Sequence, residues 1–349
     1  MRRPIQIGSL EVSTQTPPLI IAEIGINHGG SLKVAKEMVD SAKRAGATCI
    51  KHQTHIVDDE MSREAIKVIP GNATISIYEI MAKAALPEDD EYSLKCYVEA
   101  QGLVFLSTPF SRAAASRLRE FDVDAYKIGS GECNNHPLVE HIASFGKPMI
   151  LSTGMNSLQS VKKTVTILEK HKVDYALLHT TNLYPTPPAL VRLGGMQALM
   201  EAFPDILIGL SDHTLNNNSC LAATALGASI LERHFTDKYD RVGPDIVCSM
   251  DEEKLQTLIR DSAEIFVMLG GKKEAAPEEQ VTIDFAFATV VATSQIKKGE
   301  VLSEKNVWVK RPGTGAIFAE DYKKVLGKRA LVDIPEDTHI EPQMLEGWI

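Results

Sequence analysis

Residues 209–237 read GLSDHTLNNNSCLAATALGASILERHFTD and carry the clearest fold signal in the chain. Two short apolar runs, 206–210 and 228–231, each lead into a histidine, His213 or His234, and a helix-like segment separates them. Neighbouring parallel strands would bring the two imidazoles to one rim, which is where a (β/α) barrel carries its chemistry. The stretch therefore predicts two adjacent barrel strands whose C-terminal ends belong to a functional site.

The two histidines are also candidate metal ligands. A single histidine at a strand end is usually an ordinary polar residue, but two at matching ends, beside Asp212 and Glu232, favour a metal site. No thiolate or third histidine follows at a suitable spacing, so water and a substrate oxygen would complete the coordination. Nitrogen with oxygen ligands favours Mn²⁺, Mg²⁺ or Co²⁺ over a closed Zn²⁺ site.

The same alternation of apolar run and helix extends towards the N-terminus. The apolar run from Leu19 ends in EIGINH at 23–28, so that polar residues occur only at its C-terminal end. Ser31 can cap a helix that reaches about Ala45. Residues 49–54 then repeat the strand pattern. Further strands are predicted at 103–107, 125–128, 148–152, 175–179, 206–210 and 229–235. Eight strand–helix units in about 250 residues predict a TIM barrel, and a doubly wound sheet is the alternative, although no GxGxxG follows the first strand.

Other parts of the chain fall outside the repeat. Residues 1–18 form an extended lead that we expect to make a hairpin under the barrel, within a catalytic domain at 1–270. Residues 56–90 interrupt the pattern as a long insertion on the C-terminal rim. A polar linker is predicted at 271–284, followed at 285–349 by a small β-rich domain. In that domain Ile296-x-x-Gly299-x-x-Leu302 is echoed by Ile334-x-x-Asp337-x-x-Ile340, which indicates an internal duplication.

Composition excludes several classes of protein. The 349 residues carry a net charge of -9 without a basic block, so a nucleic acid partner is not expected. The five cysteines are scattered and form no CxxC pair, as in a protein of a reducing cytosol. No apolar signal region and no run of 18 apolar residues occurs, so we expect a soluble, cytoplasmic protein without a membrane partner.

The predicted strand ends carry a second set of polar residues. Lys51 and Lys127, with nearby hydroxyls and the Gly-Ser-Gly turn at 129–131, supply the charges and short donors that a phosphate needs. A single lysine would usually be a surface residue, but two on inward-pointing strand ends favour an anion site. Glu23 and Glu232 are candidate proton carriers, because a carboxylate beside a phosphate or another carboxylate has a raised pKa.

These positions lie in motifs that resemble a known family. The motifs are EIGINHGG at 23–30, KHQT at 51–54, STPF at 107–110, YKIGSGE at 126–132, LSTGM at 151–155, NLYPTP at 182–187, GLSDH at 209–213 and LERHF at 231–235. Together they resemble the bacterial N-acetylneuraminate (sialic acid) synthases. The resemblance covers nearly the whole chain, since the C-terminal part is similar to the antifreeze-like (SAF) domain of those enzymes.

The resemblance implies condensation of phosphoenolpyruvate with N-acetylmannosamine and release of phosphate by C–O cleavage. A metal ion, expected to be Mn²⁺ on His213 and His234, would polarise the sugar aldehyde, with Glu23 and Glu232 as acid and base in an order left open. The residues implied to hold phosphoenolpyruvate are Lys51, Thr108, Lys127, Ser130, Gly131, Ser152, Asn182 and Ser211. Those implied to hold the sugar are Gln53, Asn72, Tyr184 and Asp245.

The resemblance further implies a homodimer in which the C-terminal domain of one subunit covers the barrel of the other. Arg311, within WVKRPG at 308–313, and Phe285, within DFAF at 284–287, would then contact the N-acetyl group of the sugar. Three alternatives stay open. They are a legionaminic or pseudaminic acid synthase, a pyruvate aldolase that forms an imine, for which Lys127 is the only suitable strand lysine, and a non-catalytic sugar- or ice-binding protein.

Overall fold

Eight parallel strands close into a barrel in the computed structural model, which describes residues 2–71 and 73–348. A hairpin of β1 (Ile5–Ile7) and β2 (Leu10–Val12) precedes the barrel strands. The barrel strands are β3 (Leu19–Gly25), β4 (Cys49–Thr54), β5 (Val104–Pro109), β6 (Tyr126–Ile128), β7 (Met149–Ser152), β8 (Tyr175–Thr180), β9 (Leu207–Asp212) and β10 (Ile230–His234). The predicted TIM barrel is confirmed, and the predicted strand bounds differ from the observed ones by at most a few residues.

Helices connect the strands on the outside of the barrel. They are α1 (Leu32–Arg44), α2 (Val57–Glu60), α3 (Ile77–Ala84), α4 (Glu88–Ala100), α5 (Arg112–Glu120), α6 (His136–Ala143), α7 (Leu158–His171), α8 (Leu193–Ala202), α9 (Asn218–Ala225) and α10 (Glu252–Met268). Helix α1 begins where predicted, because the Ser31 hydroxyl accepts a hydrogen bond from the Val34 amide. No helix in the described part of the chain is both long and apolar enough to cross a membrane.

The lower half of the barrel is a closed apolar core. Residues near the strand starts, among them Ile21 and Leu207, pack in one cluster with Ile5 and Ile7 of the hairpin. Ile5 and Ile7 are almost fully buried, so the hairpin fills the N-terminal end of the barrel as expected. Burial of each isoleucine side chain stabilises the fold by roughly 1.5–3 kcal/mol. Chemistry is thereby confined to the opposite, C-terminal end.

Gly209 of β9 leaves no space for a side chain beside β10. A Cβ atom at this position would lie 2.2 Å from the Ile230 carbonyl oxygen and 2.7 Å from Leu178 Cδ2. Only glycine fits, because the neighbouring backbone cannot move aside without breaking the sheet. Gly209 thus lies where β9 packs against β10, the two strands that lead to His213 and His234.

The rim insertion at 56–90 is more ordered than the interrupted pattern suggests. It contains α2, a 3₁₀ turn at Arg63–Lys67 and α3, which begins with a capping box between Ser76 and Glu79. These elements are too short to show a helical period in the sequence, so their pattern resembles a loop. Asn72, a predicted sugar contact in this insertion, lies outside the described residues.

A second compact unit begins at Gly271. Its elements are α11 (Gln280–Ala286), β11 (Thr289–Ala292), β12 (Val307–Lys310) and α12 (Tyr322–Val325), with β11 and β12 antiparallel. Within the predicted linker 271–284, a turn at Pro277–Glu279 leads directly into α11. Pro277 favours this start because its fixed φ suits a first helical position.

The internal duplication predicted for this unit has structural counterparts. The backbones of Ile296 and Ile334 exchange two hydrogen bonds, of 2.9 and 2.8 Å, across an antiparallel bridge. Gly299 and Asp337, the equivalent positions of the two copies, both have positive φ. Leu302 and the equivalent Ile340 are both buried in the core of the unit. Each repeated position therefore has the same structural role in both copies.

Candidate functional site

One cavity lies at the C-terminal end of the barrel, where the polar strand ends meet. Its lining residues are Glu23, Lys51, Gln53, Thr108, Phe110, Lys127, Gly129, Ser130, Gly131, Ser152, Thr180, Asn182, Tyr184, Ser211, His213, Glu232 and His234. Among the described residues, every predicted site residue of the barrel is one of them except Asp245. A larger cavity near Pro187 and Leu215 has no charged side chain among its described lining residues. Acid–base or anion-binding chemistry is therefore better placed in the polar cavity.

His213 and His234 lie side by side, with ring centroids 5.4 Å apart. His213 Nδ1 donates to the Thr181 carbonyl oxygen at 2.8 Å, which leaves Nε2 free to bind a metal ion. Buried His234 Nδ1 finds no hydrogen-bond partner among the described residues and lies 3.9 Å from Asp245 Oδ2. Burial lowers the pKa of both histidines, so both rings are neutral, as metal ligands must be.

Two further residues complete this side of the cavity. The Tyr184 ring packs against both imidazoles, with centroids 4.1 Å from His213 and 5.9 Å from His234. Burial raises the pKa of Asp245 to about 6, and the carboxylate lies beside His234 although it does not line the cavity. No cluster of three or more metal-ligating His, Cys, Asp or Glu side chains occurs in residues 2–71 and 73–348. The chain thus offers two neutral nitrogen ligands next to an open space, which fits a metal ion that also binds water or substrate.

Both lysines reach the cavity floor and are almost completely buried. Lys51 forms an ion pair with Glu23 and donates to Thr108 Oγ1 at 3.2 Å. Lys127 Nζ donates to Ser152 Oγ at 2.7 Å and lies 3.7 Å from Glu232 Oε1. Two buried ammonium groups with adjacent hydroxyls can bind an anion that carries two or more charges.

The two lysines differ in electrostatics. Burial lowers the pKa of Lys127 to about 8, with Glu232 opposing the effect. Burial also acts to lower the pKa of Lys51, but Glu23 and Glu232 outweigh it, and the net shift is upward. Lys51 therefore stays charged well above neutral pH, whereas Lys127 loses its proton at moderately alkaline pH.

The two carboxylates also differ, which corrects the expectation that both would have a raised pKa. Burial raises the pKa of Glu23 to about 7, although Lys51 opposes the shift. Burial alone would raise the pKa of Glu232, but Lys127 and Lys51 lower it below the ordinary value. Glu23 can therefore hold a proton near neutral pH, whereas Glu232 is ionised.

Three residues important for the shape of the cavity were not predicted from the sequence. A Cβ atom at Gly154 would lie 1.9 Å from Asn182 Oδ1 and 2.8 Å from Ser130 Oγ, so only glycine allows these side chains to stay in place. The Gly154 amide donates to Ser130 Oγ at 3.0 Å. Phe110 and Thr180 also line the cavity. Their position in the sequence could have identified them, because Thr180 ends β8, Phe110 directly follows β5, and Gly154 lies two residues after the end of β7.

Phe285 and Arg311 belong to the second unit. Phe285 is in α11 and is 61% exposed, and Arg311 follows β12 in an exposed loop. Their contact with a sugar bound by another subunit stays a prediction.

Comparisons with known proteins agree on one family. The model of the NeuB family matches residues 38–274, and that of the SAF domain matches 287–346. The chain is 36% identical over 327 residues to the N,N'-diacetyllegionaminic acid synthase of Campylobacter jejuni subsp. jejuni serotype O:2, covering 91% of this chain and 97% of that one. It is 32% identical over 339 residues to the N-acetylneuraminate-9-phosphate synthase of Homo sapiens, covering 96% and 94%. The solved N-acetylneuraminic acid (sialic acid) synthetase of Leptospira borgpetersenii serovar Hardjo-bovis, in complex with citrate, has a TM-score of 0.74 at 30% identity, covering 81% and 96%.

Proposed function

The chain belongs to the NeuB family, and we propose that it condenses phosphoenolpyruvate with N-acetylmannosamine to give N-acetylneuraminic acid and phosphate. The observation that carries the proposal is the cavity lined by both a buried lysine pair and a neutral histidine pair, in which Glu232 Oε1 lies 4.0 Å from Lys51 Nζ and 3.7 Å from Lys127 Nζ. An anion site and a metal site within one cavity suit a reaction that joins an anionic phosphate ester to an aldehyde.

In the proposed complex Lys51 and Lys127 neutralise the carboxylate and phosphate groups of phosphoenolpyruvate. Short donors complete the anion site and fix the orientation of the substrate. These donors are Thr108, Ser130, Gly131, Ser152, Asn182 and Ser211. Support comes from Lys127 and Ser152, which already form a hydrogen bond of 2.7 Å, so the site is preorganised.

His213 and His234 would hold a divalent metal ion, with Mn²⁺ as the first candidate and Mg²⁺ or Co²⁺ as alternatives. When bound, the ion polarises the aldehyde of the open-chain sugar and so makes its carbon more electrophilic. Both rings are neutral, and the Thr181 carbonyl oxygen holds the Nδ1–H tautomer of His213, so these residues fit such an ion. Gln53, Asn72, Tyr184 and Asp245 are the proposed contacts of the sugar.

The carboxylates then divide the proton transfers. C3 of the enolpyruvate attacks the aldehyde carbon, and Glu23 donates a proton to the oxygen that becomes a hydroxyl. Water adds to the resulting cationic C2, and the ionised Glu232 accepts a proton from that water. The C2 hydroxyl of the tetrahedral intermediate then gives its proton to the ionised Glu23 and becomes the C2=O carbonyl, while the bond between C2 and the phosphate oxygen breaks and the phosphate leaves with the proton held by Glu232. The higher pKa of Glu23 supports this assignment of donor and acceptor.

We further propose a homodimer with shared sites, in which the partner's Arg311 and the partner's Phe285 contact the N-acetyl group. The SAF domain match and the exposure of both residues support this arrangement. Activity should fall on dilution in step with dimer dissociation measured by sedimentation. A monomer that keeps full specific activity would refute the shared site.

The reaction is tested by measuring phosphate released from phosphoenolpyruvate against a panel of amino sugars, with Mn²⁺ and with EDTA. We expect phosphate release only when sugar and metal are both present. When phosphoenolpyruvate carries ¹⁸O at the oxygen that bridges C2 and phosphorus, we expect the label to be retained in the released phosphate. No release with any amino sugar would overturn the proposal. Unlabelled phosphate would overturn C–O cleavage alone.

A legionaminic or pseudaminic acid synthase is the second candidate. It is favoured by the 36% identity to the Campylobacter legionaminic acid enzyme, which exceeds the 32% to the human enzyme. The panel therefore includes diacetamido-trideoxyhexoses, and the sugar with the highest kcat/KM decides between the candidates.

A further inference from the structure

Behind the cavity wall, a chain of buried polar side chains leads away from Glu23. Gln53 Nε2 donates to Glu23 Oε1 at 2.8 Å, and Gln53 Oε1 lies 3.1 Å from His55 Nε2. The other ring nitrogen, His55 Nδ1, lies 2.8 Å from Glu60 Oε2. The side chains of His55 and Glu60 are 1% and 8% exposed, and neither lines the cavity. Their hydrogen-bonded connection to the cavity runs through Gln53.

The hydrogen bonds determine the direction of the Gln53 amide. An amide oxygen and a carboxylate only accept, so both ring nitrogens of His55 must donate, one to Gln53 and one to Glu60. While Glu23 is ionised, the opposite amide orientation would place Gln53 Oε1 against Glu23 Oε1, two acceptors in contact. His55 thus holds the Gln53 NH₂ group towards Glu23 and the cavity.

The ring of His55 is itself held in place on two sides. It stacks on Phe110 with centroids 4.6 Å apart and an interplanar angle of 11°, and Glu60 fixes its rotation through Nδ1. Glu60 is the last residue of α2 and belongs to the rim insertion, whereas His55 directly follows β4. The insertion is thereby connected to a cavity residue through two hydrogen bonds.

We propose that His55 and Glu60 are positioning residues that orient the Gln53 amide for binding of the sugar substrate. The inference rests on the proposed function, in which Gln53 contacts the sugar and the lysine pair holds phosphoenolpyruvate. Loss of His55 then weakens sugar binding and leaves phosphoenolpyruvate binding unchanged. A residue that merely supported the fold would affect both substrates or neither.

The first test compares kinetics of His55→Phe, which keeps an aromatic ring against Phe110 but cannot donate. We expect KM for the sugar to rise about tenfold, the effect of losing one oriented hydrogen bond, with KM for phosphoenolpyruvate within about twofold of wild type. Glu64→Gln, an exposed change in the same insertion, is the matched control. An unchanged sugar KM, or an equal rise for both substrates, would refute the proposal.

A double-mutant cycle tests the route through Gln53. If His55 acts only through Gln53, the double variant Gln53→Ala/His55→Phe has the same sugar KM as Gln53→Ala alone. If the two substitutions instead have fully additive effects on the sugar KM, His55 does not act through Gln53. Glu60→Ala should raise the sugar KM, whereas Glu60→Gln, which keeps an oxygen acceptor for His55 Nδ1, should restore it. Equal effects of the two Glu60 variants would also contradict the proposal.

A readout without substrates separates this inference from the proposed reaction. In a crystal structure of substrate-free His55→Phe, we expect Gln53 Nε2 to leave hydrogen-bonding distance of Glu23 Oε1. If that contact persists, the positioning role is wrong whatever the reaction. If the contact is lost but no amino sugar supports phosphate release even by wild type, the positioning role stands and the proposed function fails. If His55→Phe does not fold, the structure of Glu60→Ala answers the same question.

Discussion

Lys127 should set the alkaline limit of phosphoenolpyruvate use. Its pKa is lowered to about 8 by burial, whereas the pKa of Lys51 is raised, so only Lys127 loses its charge between pH 8 and 9.5. A lysine is charged below its pKa, and about one tenth of the Lys127 side chains keep the proton one pH unit above it. At saturating sugar, kcat/KM for phosphoenolpyruvate reports ionisations of the enzyme–sugar complex, and we expect it to fall about tenfold per pH unit above about pH 7, where Glu23 loses its proton, and more steeply above about pH 8, where Lys127 does.

Lys127→Arg is the matched perturbation for this alkaline limit. Arginine keeps its charge throughout the range, so the steeper part of the decline above about pH 8 should disappear, while the part due to Glu23 remains. The absolute kcat/KM can still be lower, because the guanidinium has a different shape. The assay is phosphate release at limiting phosphoenolpyruvate from pH 6.5 to 10, with folding at each pH checked by circular dichroism. A wild-type profile that does not steepen above about pH 8, or equal steepening in Lys127→Arg, would refute the reasoning.

Three other perturbations test separate parts of the structure. Gly209→Ala places a Cβ atom 2.2 Å from the Ile230 carbonyl oxygen and should lower the free energy of unfolding in urea by about 3 kcal/mol or more, whereas Gly194→Ala, with nothing within 4 Å, should not destabilise. His213→Ala should weaken Mn²⁺ binding at least about 100-fold in a titration followed by electron paramagnetic resonance, and His171→Ala at the end of α7 should not. Ile7→Ala should cost about 2–5 kcal/mol of stability without changing KM for either substrate, because the hairpin packs at the end of the barrel opposite the cavity. An unchanged free energy of unfolding in Gly209→Ala or in Ile7→Ala would contradict the packing argument for that residue. An unchanged Mn²⁺ affinity in His213→Ala would contradict the role of His213 as a metal ligand.

The barrel could be predicted because the residue pattern of each strand is visible in a short stretch of sequence. Residues of β4 alternate between the inner and outer faces of the barrel, and the predicted range 49–54 agrees with the observed Cys49–Thr54. The matching ends of β9 and β10 likewise follow from two apolar runs that each lead to a histidine. Short elements were missed, as in α2, α3 and α11, since fewer than three helical turns leave little periodicity to detect.

The sequence by itself thus determined the architecture, the family and most of the residues that meet in the cavity, because apolar period and motif order are properties of the chain alone. Only the tertiary structure decided how those residues differ chemically. Glu23 and Glu232 are equivalent candidates in the sequence, yet Glu23 has a raised pKa while Lys127 and Lys51 lower that of Glu232. Likewise, only folding placed His55 behind Gln53 with Glu60 beyond it. Charge interactions and hydrogen bonds depend on distances of a few ångströms between residues far apart in the chain, and only the folded backbone sets those distances.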